Sequence, residues 1–271
     1  MVLFLVSVFF ILMFAGTPIA FALGITSVLS ILRMGMPEML MLAPQKFFAG
    51  IDMFALMAMP FFILAGDIMN RTNITHKLVN LANTLVGHVR GGLAHVNIIV
   101  SIFFAGLTGS AVSDTAALGT MLIPAMVEDG YDKDFSAAIT AASSIIGPII
   151  PPSIIAVIYG SLMNVSIAGL FAAGVVPGIL VGGGLMLAAA VISKKRDYPK
   201  KETKPTVKEV AISFKEAIIP LLMPIIILGG ILSGVFTPTE AAAVAVLYAL
   251  VVGFFVYNNL ELKDIPKSLY E

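Results

Sequence analysis

The chain has 271 residues and a formal net charge of zero at pH 7; 59% of its residues are hydrophobic and 12% are charged, and its mean hydropathy is +1.02. A soluble domain has about 25% charged residues, so this composition indicates a polytopic membrane protein. The zero net charge argues against a nucleic-acid partner, and the absence of cysteine excludes disulfides, thiolate metal sites and a cysteine nucleophile.

The first two helices are predicted at residues 2–15 and 18–33, on either side of Gly16-Thr17-Pro18. Proline favours the first turn of a helix, so the second helix should begin there. Both runs are shorter than the roughly 20 residues that span a bilayer, so local thinning or tilting is expected. We interpret the first run as a retained helix, because no Lys or Arg precedes Arg33 as a secretory signal would require.

The next part of the chain, to residue 91, contains one further apolar run and one amphipathic segment. Residues 34–49 are predicted as a loop, and residues 51–69 as a third apolar segment kinked at Pro60. Residues 1–70 are assigned to a scaffold. Within residues 71–91, apolar side chains recur at helical spacing with polar residues between them, which predicts an amphipathic arm helix along the membrane surface.

A polar stretch then interrupts residues 92–127, which are otherwise apolar. Lipid cannot form hydrogen bonds with the backbone groups that an interrupted helix leaves free. Such a stretch at membrane depth must therefore be buried in protein or line a water-filled cavity. A carboxylate there is by default a candidate functional group. The polar residues are Thr108, Ser110, Ser113, Asp114 and Thr115, between glycines at positions 106, 109 and 119.

Flanking charges favour one of two topologies for residues 92–127. Lys and Arg mark the cytoplasmic side, and residues 194–215 form a basic loop that we place there. Counting back through crossings at 166–193 and 135–163 puts both ends of 92–127 in the cytoplasm, so a re-entrant hairpin with its tip near 109–114 is predicted. One long crossing is the alternative. The basic residues of the loop are Lys194, Lys195, Arg196, Lys200, Lys201, Lys204 and Lys208.

Residues 135–163 are predicted as a broken span, with its first half ending near Ser144. Prolines at 148, 151 and 152 remove backbone donors, so nearby carbonyls lose their helical partners and are free to bind another group. A simple kink is the alternative. Two broken segments in one bundle are the usual sequence indication of a transport site.

The last two spans are predicted at 216–234 and 239–257, and they resemble the first two. Thr237-Pro238 separates them as Thr17-Pro18 separates the first pair. By the topology above, the two pairs face in opposite directions, which is typical of the inverted repeats of secondary transporters. Residues 216–271 would then begin a second repeat, and we expect the chain to be part of a longer transporter.

Four motifs along the chain can be compared with a known family: Gly16–Gly24, Gly106–Thr115, Ile149–Ser153 and Phe236–Ala243. Together they resemble the large membrane subunit of tripartite ATP-independent periplasmic (TRAP) transporters, over the whole chain. The resemblance implies an all-α polytopic protein of the bacterial inner membrane, with an inverted-repeat elevator architecture in which residues 92–193 move. It also implies sodium coupling, a small membrane subunit, and a periplasmic binding protein that delivers a dicarboxylate, sialic acid or similar carboxylate.

Carried over by motif, the resemblance implies a sodium site at the hairpin tip and the broken span. Sodium is a hard cation that prefers oxygen ligands, and the ends of broken helices offer partial charges to a cation or an anion. Asp114 could ligate the ion or fix the tip by accepting hydrogen bonds. The predicted sodium ligands are Ser110, Ser113 and Asp114 with groups of Gly147, Ile150 and Pro152, and the predicted substrate ligands are Thr115 and Ser153.

Other interpretations of the same residues remain. Ser110 and Ser113 are also typical of small-residue helix packing. Broken helices would suit a passive ion or solute channel as well as a carrier. An intramembrane serine hydrolase is disfavoured, because the chain has no Gly-x-Ser-x-Gly elbow, so the protein is not predicted to be an enzyme.

Overall fold

The computed structural model describes residues 1–72, 74–200 and 204–270, and these residues are helices and their connections. The chain divides into two compact units, Met1–Met53 and Phe54–Glu271. The helices are α1 (Val2–Phe14), α2 (Ile19–Arg33), α3 (Leu42–Ile51), α4 (Ala58–Arg71), α5 (Ile74–Val86), α6 (Gly92–Thr108), α7 (Ala111–Glu128), α8 (Lys133–Ser144), α9 (Ile154–Met163), α10 (Ile167–Lys195), α11 (Val207–Leu232), α12 (Pro238–Val251) and α13 (Asp264–Tyr270).

Within the described ranges, four helical segments are long and apolar enough to cross a membrane: Phe54–Arg71, Ile167–Lys195, Val207–Leu232 and Pro238–Val256. Many large apolar side chains on these helices are exposed, among them Leu180, Leu187 and Phe255. Such a surface suits lipid rather than water, because monomeric soluble proteins rarely expose large contiguous apolar patches. The protein is therefore an all-helical, multi-pass membrane protein.

The first unit pairs α1 with α2 through a turn at residues 15–18. Gly16 has φ +84°, a left-handed conformation that favours glycine. The Arg33 guanidinium lies over the Phe4 ring, 4.2 Å from its centroid. The predicted loop at residues 34–49 is wrong: a short 3₁₀ helix at Pro37–Met41 leads into α3. Pro44 lies in the first turn of α3, where no intrahelical donor is lost.

The second unit is organised around two packed cores. In the larger core, α4 packs against α12, and α5 packs against both α6 and α11. Thr84 of α5 and Ser213 of α11 share a hydrogen bond of 3.0 Å between their hydroxyls. In the smaller core, residues of α6, α8 and α10 surround Ile98, Ile139 and Ile146.

The predicted basic loop at 194–215 is shorter in the structure than in the prediction. Helix α10 continues to Lys195, and α11 begins at Val207 rather than near 216. The early start has a local cause: the Thr206 hydroxyl accepts from the Glu209 backbone N–H while the Glu209 carboxylate accepts from the Thr206 N–H. Lys201, counted in the predicted loop, lies outside the described residues.

Helix α12 begins with the same pair of reciprocal hydrogen bonds, formed between Thr237 and Glu240. Glu240 thus stabilises the N-terminus of α12.

Candidate ion and substrate site

The polar stretch forms a tight turn between two helices. Helix α6 ends at Thr108 and α7 begins at Ala111, with Gly109 in a left-handed conformation at φ +60°. The Ser110 hydroxyl caps α7 by accepting from the Ser113 backbone N–H at 3.4 Å. Glycine is suited to this turn because other residues pay a steric cost at positive φ.

The turn lies directly against the broken stretch that follows α8. A Cβ placed on Gly109 would lie 2.3 Å from the Pro152 carbonyl oxygen. No real side chain tolerates that distance, so the two backbones meet only because residue 109 has no side chain. This close approach brings the ends of four helices, α6 to α9, to one place.

Residues 145–153 connect α8 to α9 without regular helix. Helix α8 ends at Ser144, and the Gly147 and Ile150 N–H groups donate to the Ser144 and Ile146 carbonyls at 3.1 and 2.9 Å. Ser153 caps α9 by accepting from the Ala156 N–H at 3.1 Å, and its hydroxyl donates to the Pro148 carbonyl at 2.6 Å. The peptide bond between Pro151 and Pro152 is cis.

Asp114 lies at the centre of this arrangement and is fully buried. One of its oxygens, Oδ1, accepts a hydrogen bond from the Thr108 hydroxyl across the turn. The other, Oδ2, has no hydrogen-bond partner in the part of the chain that the structure describes. A Cβ on Gly147 would lie 2.6 Å from Oδ2 and 3.4 Å from the Ser110 carbonyl carbon, so Asp114, Gly147 and Ser110 converge on one point.

A cavity of about 270 Å³ opens beside the turn. Ser110, Ser113 and Thr108 form its wall on the turn, and Ile154 contributes from α9. Helix α4 faces them with Gly66, Asp67 and Asn70, and Asp67 forms an ion pair of 2.8 Å with Arg71. The lining is completed by Ile63 and Ser268.

The structure therefore brings some of the predicted site residues together and leaves others apart. Ser110, Asp114, Gly147 and Pro152 meet at the turn, and Ser113 lies on the cavity wall. The Ile150 side chain packs towards Gly178 of α10, where a Cβ would lie 2.2 Å from it.

The predicted substrate ligands, Thr115 and Ser153, do not line the cavity. The Thr115 hydroxyl donates to the Ala111 carbonyl at 2.8 Å, and the Ser153 hydroxyl is bonded as described above.

A buried polar group between α6 and α8 was missed by the sequence interpretation. The Asn97 amide donates to the Thr140 hydroxyl at 2.6 Å, and the Ser143 hydroxyl donates to the Asn97 carbonyl oxygen at 3.1 Å. Ser101 donates to the Ser143 hydroxyl at 2.9 Å. All four are fully buried, and we call them the polar ladder. Their spacing, i and i+4 on α6 and i and i+3 on α8, was the available signal.

A second cluster of polar side chains holds the start of the connection between α10 and α11 against the turn before α8. Asp132, in the turn before α8, accepts from the Tyr198 hydroxyl at 2.8 Å and from Arg196 at 2.5 Å. The Tyr198 ring packs on Tyr131, with centroids 4.5 Å apart. The Tyr198 hydroxyl and the Arg196 guanidinium hold the pKa of the Asp132 carboxyl below its ordinary value of 3.8. We call Asp132, Arg196 and Tyr198 the linker cluster.

Comparison with known proteins identifies the family. Residues 6–271 match the family described as "Tripartite ATP-independent periplasmic transporter, DctM component". The chain is 47% identical over 263 residues to the sialic acid TRAP transporter large permease protein SiaM of Vibrio cholerae, covering 96% of this chain and 60% of that protein.

Two further relatives are similar over most of this chain. The sialic acid TRAP transporter permease protein SiaT of Haemophilus influenzae is 44% identical, covering 97% of this chain and 42% of that protein. The C4-dicarboxylate TRAP transporter large permease protein DctM of Rhodobacter capsulatus is 36% identical, covering 95% and 61%. The chain thus spans roughly 40–60% of the length of these relatives. By the family match and these identities, the chain belongs to the DctM component of the tripartite ATP-independent periplasmic transporters, a family of membrane permease subunits rather than enzymes.

Proposed function

We propose that this protein is part of a sodium-coupled secondary transporter that imports an organic acid. The acid would be a dicarboxylate, a sialic acid or a similar carboxylate, handed over by a periplasmic binding protein to a complex with a small membrane subunit in the bacterial inner membrane. Family membership supports the class of transporter. The observation that carries sodium coupling is the buried Oδ2 of Asp114 beside Gly147, which has no hydrogen-bond partner among the described residues.

A buried carboxylate oxygen with no hydrogen bond is costly unless a cation or donor completes it. Gly147 and Ser110 converge on Asp114, and the Pro152 carbonyl lies against the turn at Gly109. Hydroxyl and carbonyl oxygens of the kind that Ser110, Gly147, Ile150 and Pro152 would supply suit sodium as ligands. Helix α8 ends at Ser144 and directs its partial negative charge towards the same region. We propose that sodium binds Asp114 Oδ2 together with these groups, and that Ser113 joins them from the cavity wall.

The substrate would bind beside the ion, in the cavity of about 270 Å³. Helices α7 and α9 both begin at this place, capped by Ser110 and Ser153, and their N-termini offer partial positive charge to a carboxylate. Thr115 and Ser153 remain our candidates for substrate ligands after a rearrangement that frees their hydroxyls. Sodium would promote substrate binding by holding the turn against the broken stretch.

Transport would proceed by an elevator movement of residues 92–193 relative to a scaffold of residues 1–70 and 216–257. The polar ladder supports this division, because hydrogen bonds between α6 and α8 would keep the turn and the broken span together during such a movement. Helix α5 contacts both α6 and α11, as an arm between the two parts would. The correspondence of α1–α2 with α11–α12 around Thr17-Pro18 and Thr237-Pro238 supports an inverted repeat.

The proposal is tested by uptake of labelled organic acids into proteoliposomes that contain the protein, its small subunit and its binding protein. We expect uptake with an inward sodium gradient and little with potassium. Asp114→Asn should lower sodium-driven uptake at least about tenfold, since losing one charged ligand costs on the order of 1.5 kcal/mol or more. Ser113→Ala should raise the sodium concentration needed for half-maximal uptake.

Thr120→Ala is the matched control, because Thr120 lies on the same helix with its side chain exposed. Its uptake should equal that of the native protein. Uptake that ignores sodium and both site substitutions would overturn the proposal, whereas a current that does not saturate with substrate would indicate a channel.

A further inference from the structure

A second cavity, of about 740 Å³, lies at the opposite end of α6 from the turn. It is bounded by the end of α5, the start of α6 and the last turns of α10. Its polar side chains are all basic: Arg90, His95 and Lys194. We call it the basic cavity.

The rest of the basic cavity is apolar. Its walls include Val89, Met186 and Ala190. Met186 and Lys194 are eight positions apart on one continuous helix, or about 12 Å along its axis. The cavity therefore has a charged end at the Lys-rich terminus of α10 and an apolar end deeper along that helix.

Each basic side chain keeps at least one nitrogen without a hydrogen-bond partner among the described residues. Lys194 is exposed and has no ion pair within the described residues. Arg90 gives one terminal nitrogen to Asp197, but a guanidinium has five N–H donors and this side chain is 45% exposed. His95 is only 6% exposed, and its Nδ1 has no hydrogen-bond partner in the part of the chain described.

We propose that the basic cavity binds an anionic phospholipid. Its headgroup phosphate would accept from Arg90 and Lys194 and approach the His95 imidazole. One acyl chain would lie against Val89, Met186 and Ala190. A free phosphate would satisfy the charged end but leave the apolar walls bare, whereas a lipid complements both. Basic pockets between membrane helices on the side rich in Lys and Arg are a recognised place for anionic lipid headgroups.

The test is lipid retention by the purified protein in nanodiscs and by native mass spectrometry, with phosphatidylglycerol, cardiolipin or phosphatidylcholine as probes. We expect the two anionic lipids, and not phosphatidylcholine, to remain bound at about one per chain and to raise Tm. Arg90→Gln with Lys194→Gln should weaken retention on the order of 30-fold, since each basic residue near an anionic membrane surface contributes about a fivefold gain.

Three control variants distinguish this site from general charge effects. Lys208→Gln with Lys215→Gln removes the same charge from exposed positions of α11 and should leave retention unchanged. Asp197→Asn breaks the Arg90 ion pair but keeps both cations, so it should retain lipid at least as well as the native protein. Ala190→Trp fills the apolar wall without changing charge and should reduce retention. Gel filtration and circular dichroism verify that each variant is folded.

The proposal is overturned if the Arg90/Lys194 and Lys208/Lys215 double variants lose lipid equally, or if Ala190→Trp retains it fully. It is also overturned if inorganic phosphate at millimolar concentration raises Tm as much as phosphatidylglycerol does, because the apolar part of the site would then contribute nothing.

Discussion

The polar ladder and the turn at Asp114 are neighbouring buried polar regions that differ in one respect. In the ladder, Asn97 bonds through both its amide nitrogen and its carbonyl oxygen. The hydroxyls of Thr140 and Ser143 also donate to backbone carbonyls, and the Ser101 hydroxyl donates to Ser143. At the turn, Asp114 is equally buried, but within the described part of the chain only its Oδ1 has a hydrogen-bond partner.

Within a membrane protein this difference distinguishes a structural polar group from a candidate ligand site. Buried polar groups that are fully paired hold helices together and need nothing from outside. A buried group left unpaired indicates strain or an absent ligand. The ladder therefore fixes α6 against α8, whereas Asp114 keeps one oxygen available at the place where those helices end.

The largest expected effect comes from Gly109→Ala, which disrupts the close approach of the turn to the Pro152 carbonyl. Alanine would adopt a left-handed conformation and its Cβ would overlap the Pro152 carbonyl. We expect a loss of stability on the order of 3 kcal/mol, from the positive φ and the displaced backbone together. Thermal unfolding followed by circular dichroism measures it, since the chain has no tryptophan for fluorescence.

Gly119→Ala is the matched control on α7. A Cβ there meets Ile123 at 3.5 Å and Thr140 at 3.7 Å, which is ordinary contact. Because glycine weakens a helix interior, this change should stabilise by about 0.5 kcal/mol. Equal Tm values for the two variants would show that the turn does not lie against the broken stretch.

Effects of intermediate size are expected from one substitution in each region, Asn97→Leu in the polar ladder and Asp114→Asn at the turn. Asn97→Leu should lower stability by about 1–2 kcal/mol with or without sodium, because two interhelical hydrogen bonds are lost. The loss stays modest since Thr140 and Ser143 keep their bonds to backbone carbonyls.

Asp114→Asn should behave in the opposite way. Without sodium its stability should match that of the native protein, because the Thr108 hydroxyl can still donate to the amide oxygen. The increase of Tm with sodium concentration, expected for any ligand that binds the folded state, should disappear. If Asn97→Leu abolishes the increase of Tm with sodium, or Asp114→Asn preserves it, the two regions do not differ in sodium binding.

Local signals predicted the breaks in the helices but not what the polar groups bond to. Gly109 and the prolines after Ser144 interrupt apolar runs, and the structure interrupts its helices at those positions. The bond between Thr108 and Asp114 depends on the path of the turn. The ladder depends on which faces of α6 and α8 meet. Local sequence does not show this, because Asn97 and Thr140 are 43 residues apart.

The sequence interpretation was wrong where local helix signals were overlooked. Residues 34–49 were assigned to a loop, yet they contain α3, with Pro44 in its first turn, where a proline costs no intrahelical hydrogen bond. The start of α11 was placed near 216, yet Thr206 and Glu209 form a capping box that begins the helix earlier. A scan for capping pairs would have found that helix start.

The smallest effect is expected at the linker cluster, which is as fully paired as the ladder but whose ion pair between Asp132 and Arg196 is exposed to water. Asp132→Asn removes the charge that Arg196 and Tyr198 share. Exposed ion pairs contribute little, so Tm should barely change. What should change is local: backbone amides at residues 196–199 should exchange hydrogen several-fold faster, while those of the ladder helices stay protected.

The same cluster has a pH dependence whose sign follows from its pairing. The pKa of Asp132 is depressed in the folded protein, by Tyr198 first and Arg196 second. Its contribution is therefore present above the ordinary value of 3.8 and lost as the pH falls through the lower folded value. Protection of residues 196–199 should thus persist at pH 5 and decline below about pH 4, and Asp132→Asn should abolish that decline. Asp129→Asn, in the same turn but outside the cluster, should retain it. If Asp129→Asn abolishes the decline as well, the acid sensitivity comes from the charges of the whole turn. The effect of Asp132 would then not be limited to its own bonds with Arg196 and Tyr198.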